Sequence, residues 1–166
     1  VWVKNVYSDL VHNKKMIISQ DQIYQCEKIL KSEKVEETGR DFAFVQTKEL
    51  SKNFLTLSRR SQQPDRLKGQ QLFMLGFPLG MPMQMTMMGY VQSFQGHYFF
   101  TDLDGFHGNS GSPVINLETF EVEGIYVNGS EDFIFHDGDT CQRINYCKNG
   151  ECHGEIVMSS LSLEFP

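Results

Sequence analysis

Residues 105–115 read GFHGNSGSPVI, and the glycines around Ser110 decide how the chain is read. Glycine weakens a strand interior, so a serine held between Gly108 and Gly111, just before the apolar run PVI, marks a tight turn feeding a strand. Such a turn lifts one hydroxyl clear of the sheet. The same grammar repeats outward in both directions. VWVKNVY, QIYQCEKIL, DFAFVQT, QQLFMLGF, TMMGYVQSF, HYFFTDL, SPVINL, EVEGIYV and GEIVMSS are short, rich in aromatic or β-branched residues, and separated by Gly, Pro, Asn or Asp. Helical periodicity is scarce. The pattern predicts an all-β, antiparallel sandwich or barrel.

The 166 residues suffice for one large domain or two small packed ones with a real core. A division near residue 60 is predicted, into units 1–60 and 61–166, because SKNFLTLSRRSQQPDRLKG (51–69) is polar and broken by Pro64. Fifteen Lys and Arg against 21 Asp and Glu leave a net charge of −6, and the basic clusters are short, which disfavours a nucleic-acid partner. No apolar run approaches the ~18 residues of a membrane span, and the first residues lack the charged start and apolar middle of a signal peptide. No membrane partner is expected.

Cys26, Cys141, Cys147 and Cys152 leave three readings open. Three of them fall in the polar stretch DTCQRINYCKNGECHGE (139–155), which reads as stapled by disulfides. Free thiols are the second reading. Zinc, with His153 nearby, is the third, but the spacings miss the usual two-residue knuckle, and no metal or cofactor is expected. The even count fits an oxidising compartment, so a secreted or periplasmic location is expected. Met81, Met83, Met85, Met87 and Met88 crowd FPLGMPMQMTMMG (77–89), either as adaptable core filling or as the apolar wall of a peptide-binding cleft.

TGRDFAFVQ (38–46), LGFPLG (75–80) and GNSGSPV (108–114), in that order, resemble the chymotrypsin-like (trypsin-like) serine proteases, nearest the bacterial glutamyl-endopeptidase branch. The likeness covers roughly residues 20 to 130. It implies an antiparallel double β-barrel, the first barrel incomplete, the second carrying the nucleophile, with a polypeptide substrate. Carried over by position, it makes Ser110 the nucleophile, Asp41 the buried carboxylate that orients an imidazole, and Gly108 and Ser110 the backbone donors of an oxyanion hole. The chemistry agrees, because a serine hydroxyl needs a base for its proton and donors for the oxyanion that its attack creates. For the specificity pocket the likeness points to Asp104 and Tyr126. Asp104 stands where trypsin-like members hold a carboxylate for Arg or Lys. Tyr126 stands where glutamyl-specific members hold a histidine, which argues against glutamate specificity. Asn109 replaces the aspartate that pairs with a new N-terminal amine in the animal digestive enzymes, so that activation switch is expected to be absent.

The base is not assigned by this reading. Of His12, His97, His107, His136 and His153, only His12 precedes Asp41 as the family order requires. His107 is too near Ser110 along the chain. The eleven residues before His12 cannot supply the strands that normally lead to a catalytic histidine, and SDLVHNKKM reads as a polar hairpin turn. The catalytic histidine is left unknown, with His12 the candidate by order. The expectation is that the chain starts inside the first barrel and that a missing N-terminal segment or chain completes it. Two functions follow: a serine endopeptidase or a fragment of one, or a catalytically inactive protease-like module that binds peptides or a partner.

Overall fold

A computed structural model describes residues 2–3, 11–12, 15–16, 18–35, 40–51, 54–58, 67–136, 138–146 and 152–166. Short strands come first: β1 (Trp2–Val3), β2 (Val11–His12), β3 (Lys15–Met16) and β4 (Ile23–Tyr24). The long hairpin strands β5 (Cys26–Val35) and β6 (Arg40–Thr47) follow, then β7 (Gln71–Gly76), β8 (Gln84–Gln95), β9 (Tyr98–Thr101), β10 (Pro113–Asn116) and β11 (Val122–Asn128). The last are β12 (Phe133–Ile134), β13 (Arg143–Ile144) and β14 (Glu155–Ser159). Among the described residues there is no α-helix, in keeping with the missing 3.6-residue period.

Six strands close into a barrel in the order β10, β11, β14, β9, β8, β7, with antiparallel neighbours throughout. The two-residue period of a strand sorts its side chains onto two faces. Leu72 and Met74 of β7 join Val91, Phe99, Leu103, Val114, Tyr126 and Val157 in one buried cluster. Phe73, between them, packs on the opposite face with Ile115 and Val122. Phe99, Leu72, Val114 and Val157 are wholly buried, so this interior is packed and not a pore. One barrel end is closed by polar groups: Asn116 Nδ2 donates to Gln70 Oε1 at 2.5 Å and to Glu123 Oε1 at 3.1 Å. The register of β14 on β11 and β9 sets Tyr126, Thr101 and Glu155 at the other end.

Before the barrel, the described residues form three two-stranded pairs, β1 with β4, β2 with β3, and β5 with β6. The C-terminal segment ties the β5–β6 hairpin to the barrel. Arg40 reaches Glu164 at 2.8 Å and Glu33 at 3.3 Å, and Lys31 reaches Glu164 at 3.0 Å. Phe44 stacks on Phe165 with centroids 4.7 Å apart, and Ser160 Oγ donates to the Ser58 carbonyl at 2.8 Å. Of the polar segment 51–69, residues 52–53 and 59–66, with Pro64, lie outside the described residues. Leu57 and Lys68 within it bridge to Val122 and Val91 of the barrel.

The described cysteines divide between the disulfide and free-thiol readings. Cys26 and Cys141 are exposed free thiols, Cys152 is disulfide-bonded, and Cys147 lies outside the described residues. An even count therefore does not mean a fully bridged set. Cys26 starts β5 on the hairpin, where its neighbour across the sheet is Thr47 and not a thiol. Met81, Met85 and Met88 are exposed, so core filling fails for them.

Candidate active site

The turn around Ser110 is built by two glycines and pinned from two sides. Gly108 has φ +94° and Gly111 φ +89°, a region that side chains with a Cβ enter at a cost. At Gly108 a Cβ would also stand 2.9 Å from the Phe77 carbonyl oxygen and 3.0 Å from the Leu79 nitrogen. On one side the Leu79 N–H donates to the His107 carbonyl at 2.7 Å, so the segment after β7 braces the turn. On the other, Gly111 N–H donates to the Tyr126 carbonyl at 2.7 Å and Tyr126 N–H returns to the Ser112 carbonyl at 2.9 Å. Asn109 is packed beneath, nearly inaccessible, against Gly76, where any Cβ would collide with Asn109 Oδ1 and Ser112 Oγ.

The amides of the turn alternate. His107 N–H donates to Asp132 Oδ2 at 2.7 Å, Asn109 N–H to the Phe106 carbonyl at 3.1 Å, and Ser112 N–H to the Asn109 carbonyl at 2.8 Å. Between them, the amides of Gly108 and Ser110 have no acceptor among the described residues, and both residues are exposed. Two unpaired N–H groups beside an exposed hydroxyl can hold the oxygen of a carbonyl under attack.

Asp41, second residue of β6, stands apart from that turn in its bonding. Its N–H donates to Met158 Sδ at 3.2 Å, and its half-exposed carboxylate lies 3.9 Å from Lys34 Nζ, its partner across the hairpin. It is therefore not a fully buried carboxylate. His12 lies in β2, paired with Lys15, and its side chain is outside the described residues. His107 is almost fully exposed, with Nδ1 4.0 Å from Asp132 Oδ2, and His97 Nδ1 contacts Ser162 Oγ at 3.2 Å. Among the described residues no histidine bonds to Ser110 or to Asp41.

A cavity of about 890 Å³ has Asp104, Gly105 and Phe106 on its wall, the residues that lead along the chain into the turn that carries Ser110. Asp104 is exposed. Tyr126 is buried, and its hydroxyl donates to Glu155 Oε2 at 2.6 Å. Sequence reasoning passed over Glu155, although one signal was available: a carboxylate two residues before Val157 shares that residue's inward face. Burial raises the Glu155 carboxyl to about 7; Asp132 and Asp104 push the same way, while bonds from Tyr126 and the Gly105 backbone oppose them. The Tyr126 hydroxyl is pushed far up, first by burial and then by Glu155.

The chain matches the trypsin-like peptidase domain family over residues 8–125, more than half its length, and it belongs to that family. Among solved structures it is similar to Rv3671c from M. tuberculosis H37Rv, a crystal structure of a serine-to-alanine mutant in an inactive form. The TM-score is 0.55 at 14% identity, over 86% of this chain and 62% of that one. That likeness is one of fold, and this chain spans about three fifths of the length of that structure. No curated protein matches the chain.

Proposed function

We propose that this chain is a serine endopeptidase whose nucleophile is Ser110 and whose oxyanion hole is formed by the N–H groups of Gly108 and Ser110. The observation that carries the reading is the alternation of amides, in which these two alone in the stretch from His107 to Ser112 lack an acceptor among the described residues. Ser110 Oγ attacks the substrate carbonyl carbon, and the carbonyl π pair moves onto oxygen, where the two amides receive it. As the tetrahedral species collapses, the carbon–nitrogen bond breaks and the departing amine takes the proton that Oγ lost. Water then attacks the acyl carbon, the bond from that carbon to Oγ breaks, Oγ regains a proton from the water, and the new carboxylic acid end of the substrate leaves. Losing one oxyanion donor in such a site costs about 3 kcal/mol of transition-state stabilisation. The substrate is a polypeptide, Asp104 and Tyr126 belong to the pocket for its side chain, Asp41 is the carboxylate member, and the protein works in a secreted or periplasmic setting.

A second reading, an inactive module that binds peptides or a partner in the same cleft, is favoured by one observation: Asp41 faces Lys34, and no described histidine bonds to it or to Ser110. Without a base, acceleration falls to roughly 10³- to 10⁴-fold over water. A fluorophosphonate probe separates the two. Rapid labelling that disappears in Ser110→Ala supports the peptidase, and no labelling of the wild type refutes it in favour of the binding module.

A further inference from the structure

The chain passes from β11 to the cavity wall through Asn128 and Gly129 to Ser130. Asn128 ends β11 opposite Ile156, just past a break in register, since Tyr126 pairs with Val157 and Val127 is left over between them. Such a bulge disrupts the ladder locally. Gly129 lies beyond the last paired residue, and its N–H donates to the side-chain Oδ1 of its own neighbour, Asn128, at 2.9 Å. That bond sets the Gly129 nitrogen against the carboxamide of an exposed Asn128. Residue 129 has to be glycine for a separate reason: a Cβ there would collide with Glu155 Oε2 and with the Tyr126 hydroxyl. The packing of the Tyr126–Glu155 pair thus keeps the backbone nitrogen clear of any side chain that would screen it. Glycine also rotates freely enough to let that nitrogen approach the carboxamide carbon.

We propose that Asn128–Gly129 is a self-modification site, at which the folded chain converts its own asparagine through a cyclic succinimide to aspartate and isoaspartate. The Gly129 nitrogen gives its proton to water and attacks Asn128 Cγ, forming the ring bond while the carbonyl π pair moves onto Oδ1. That pair returns as the bond from Cγ to Nδ2 breaks, and Nδ2 leaves as ammonia with a proton from water. Water then adds to one of the two ring carbonyls, whose bond to the Gly129 nitrogen breaks, and the nitrogen recovers a proton. Opening at Cγ leaves aspartate. Opening at the main-chain carbonyl leaves isoaspartate, with the main chain routed through Cβ and Cγ. Net, one water is consumed and one ammonia released.

Other described asparagines lack this arrangement. Asn109 and Asn116 are buried and precede Ser110 and Leu117, and Asn116 Nδ2 is held by Gln70 and Glu123. Asn145 Nδ2 donates to the Glu131 carbonyl at 2.9 Å, and the bulky Tyr146 follows it. The consequence of conversion runs along the chain. Isoaspartate lengthens the main chain by one carbon and adds a carboxylate just ahead of Asp132, whose Oδ2 accepts the His107 N–H at 2.7 Å and so ties down the turn that carries Ser110. The longer path slackens that tie, whereas aspartate adds the charge without the extra carbon. The modification stands without the peptidase reading; only its effect on Ser110 reactivity rests on it.

The test is peptide mapping by mass spectrometry of the whole folded chain during storage in neutral buffer, beside a synthetic peptide of residues 124–130. Asn128 should lose its amide, with isoaspartate among the products, at least as fast in the folded chain as in the peptide and at least about tenfold faster than Asn109 or Asn116. Asn149–Gly150, outside the described residues, is separated from Asn128 by Arg143 and Lys148, so trypsin puts the two on different fragments. Asn128→Gln, which would need a larger ring, should lose the conversion. An Asn128 that keeps its amide, or that converts more slowly in the folded chain than in the peptide, overturns the proposal, because the fold then protects it. Hydrogen exchange at the His107 amide reads the tie to Asp132 directly. It should quicken at least about threefold in the isoaspartate form and change less than that in Asn128→Asp. Unchanged exchange in the isoaspartate form, or equal quickening in Asn128→Asp, overturns the slackened tie. Conversion at Asn128 in a chain that fluorophosphonate never labels sinks the peptidase reading and leaves this one standing. Labelling at Ser110 with Asn128 intact does the reverse.

Discussion

Replacing Glu155 by glutamine should change how stability depends on pH. The carboxyl titrates at about 7 when folded against an ordinary 4.5, chiefly because burial disfavours its charged form. Below 4.5 the group is protonated in both states and folding meets no penalty. Between 4.5 and 7 the unfolded chain releases the proton while the folded chain keeps it, so stability falls as pH rises through this window and levels off above 7. A difference of roughly 2.5 pKa units corresponds to about 3 kcal/mol at most. Glutamine keeps an acceptor for the Tyr126 hydroxyl but cannot ionise. Relative to wild type, Glu155→Gln should therefore gain about 3 kcal/mol between pH 4.5 and pH 8, or roughly 6–12 °C in Tm for a chain of this size. Urea denaturation of both proteins across that range measures it, and other titrating groups cancel in the difference. A difference between the two proteins that stays constant from pH 4.5 to 8 would refute the claim that Glu155 is held protonated by its surroundings.

Three further outcomes test the site and its support. Gly108→Ala places a Cβ against the Phe77 carbonyl at φ +94° and should cost about 1–3 kcal/mol together with loss of fluorophosphonate labelling; thermal melting and labelling read both. Gly76→Ala should lower stability by about 1–3 kcal/mol, because the new methyl group meets the buried Asn109 and Ser112 side chains that support the turn from below, and denaturant midpoints will show it. Phe99→Ala empties the centre of the barrel interior and should cost about 3–5 kcal/mol in the same assay.

Much of the barrel was legible in the chain because strands carry their burial in a two-residue period. QQLFMLGF and SPVINL each contain the strand found there, EVEGIYV covers all of its strand but Asn128, and the Leu72, Phe73, Met74 alternation sorts into two packed faces. The glycine signature around Ser110 was readable for a similar reason: positive φ and close backbone approach exclude every other residue at Gly108. Cysteine count misled, since pairing depends on where two thiols lie in space, and Cys26 starts a hairpin strand opposite Thr47. The methionines left two readings open, and core filling fails at Met81 and Met85, which stand exposed.

What the sequence determined alone is local: the strand-forming segments, the turn that presents Ser110, and the acidic balance of the chain. The tertiary structure decided which groups share a wall. Tyr126 and Glu155 are 29 residues apart, and the register of β14 on β11, with Tyr126 opposite Val157, brings them to 2.6 Å at one barrel end. Asp41 likewise reads as a buried triad carboxylate in one dimension, yet hairpin register sets Lys34 opposite it. Side-chain periodicity is written into consecutive residues, whereas strand register is fixed by packing and hydrogen bonds between distant segments, and so the charge environment of a site emerges only once the barrel has closed.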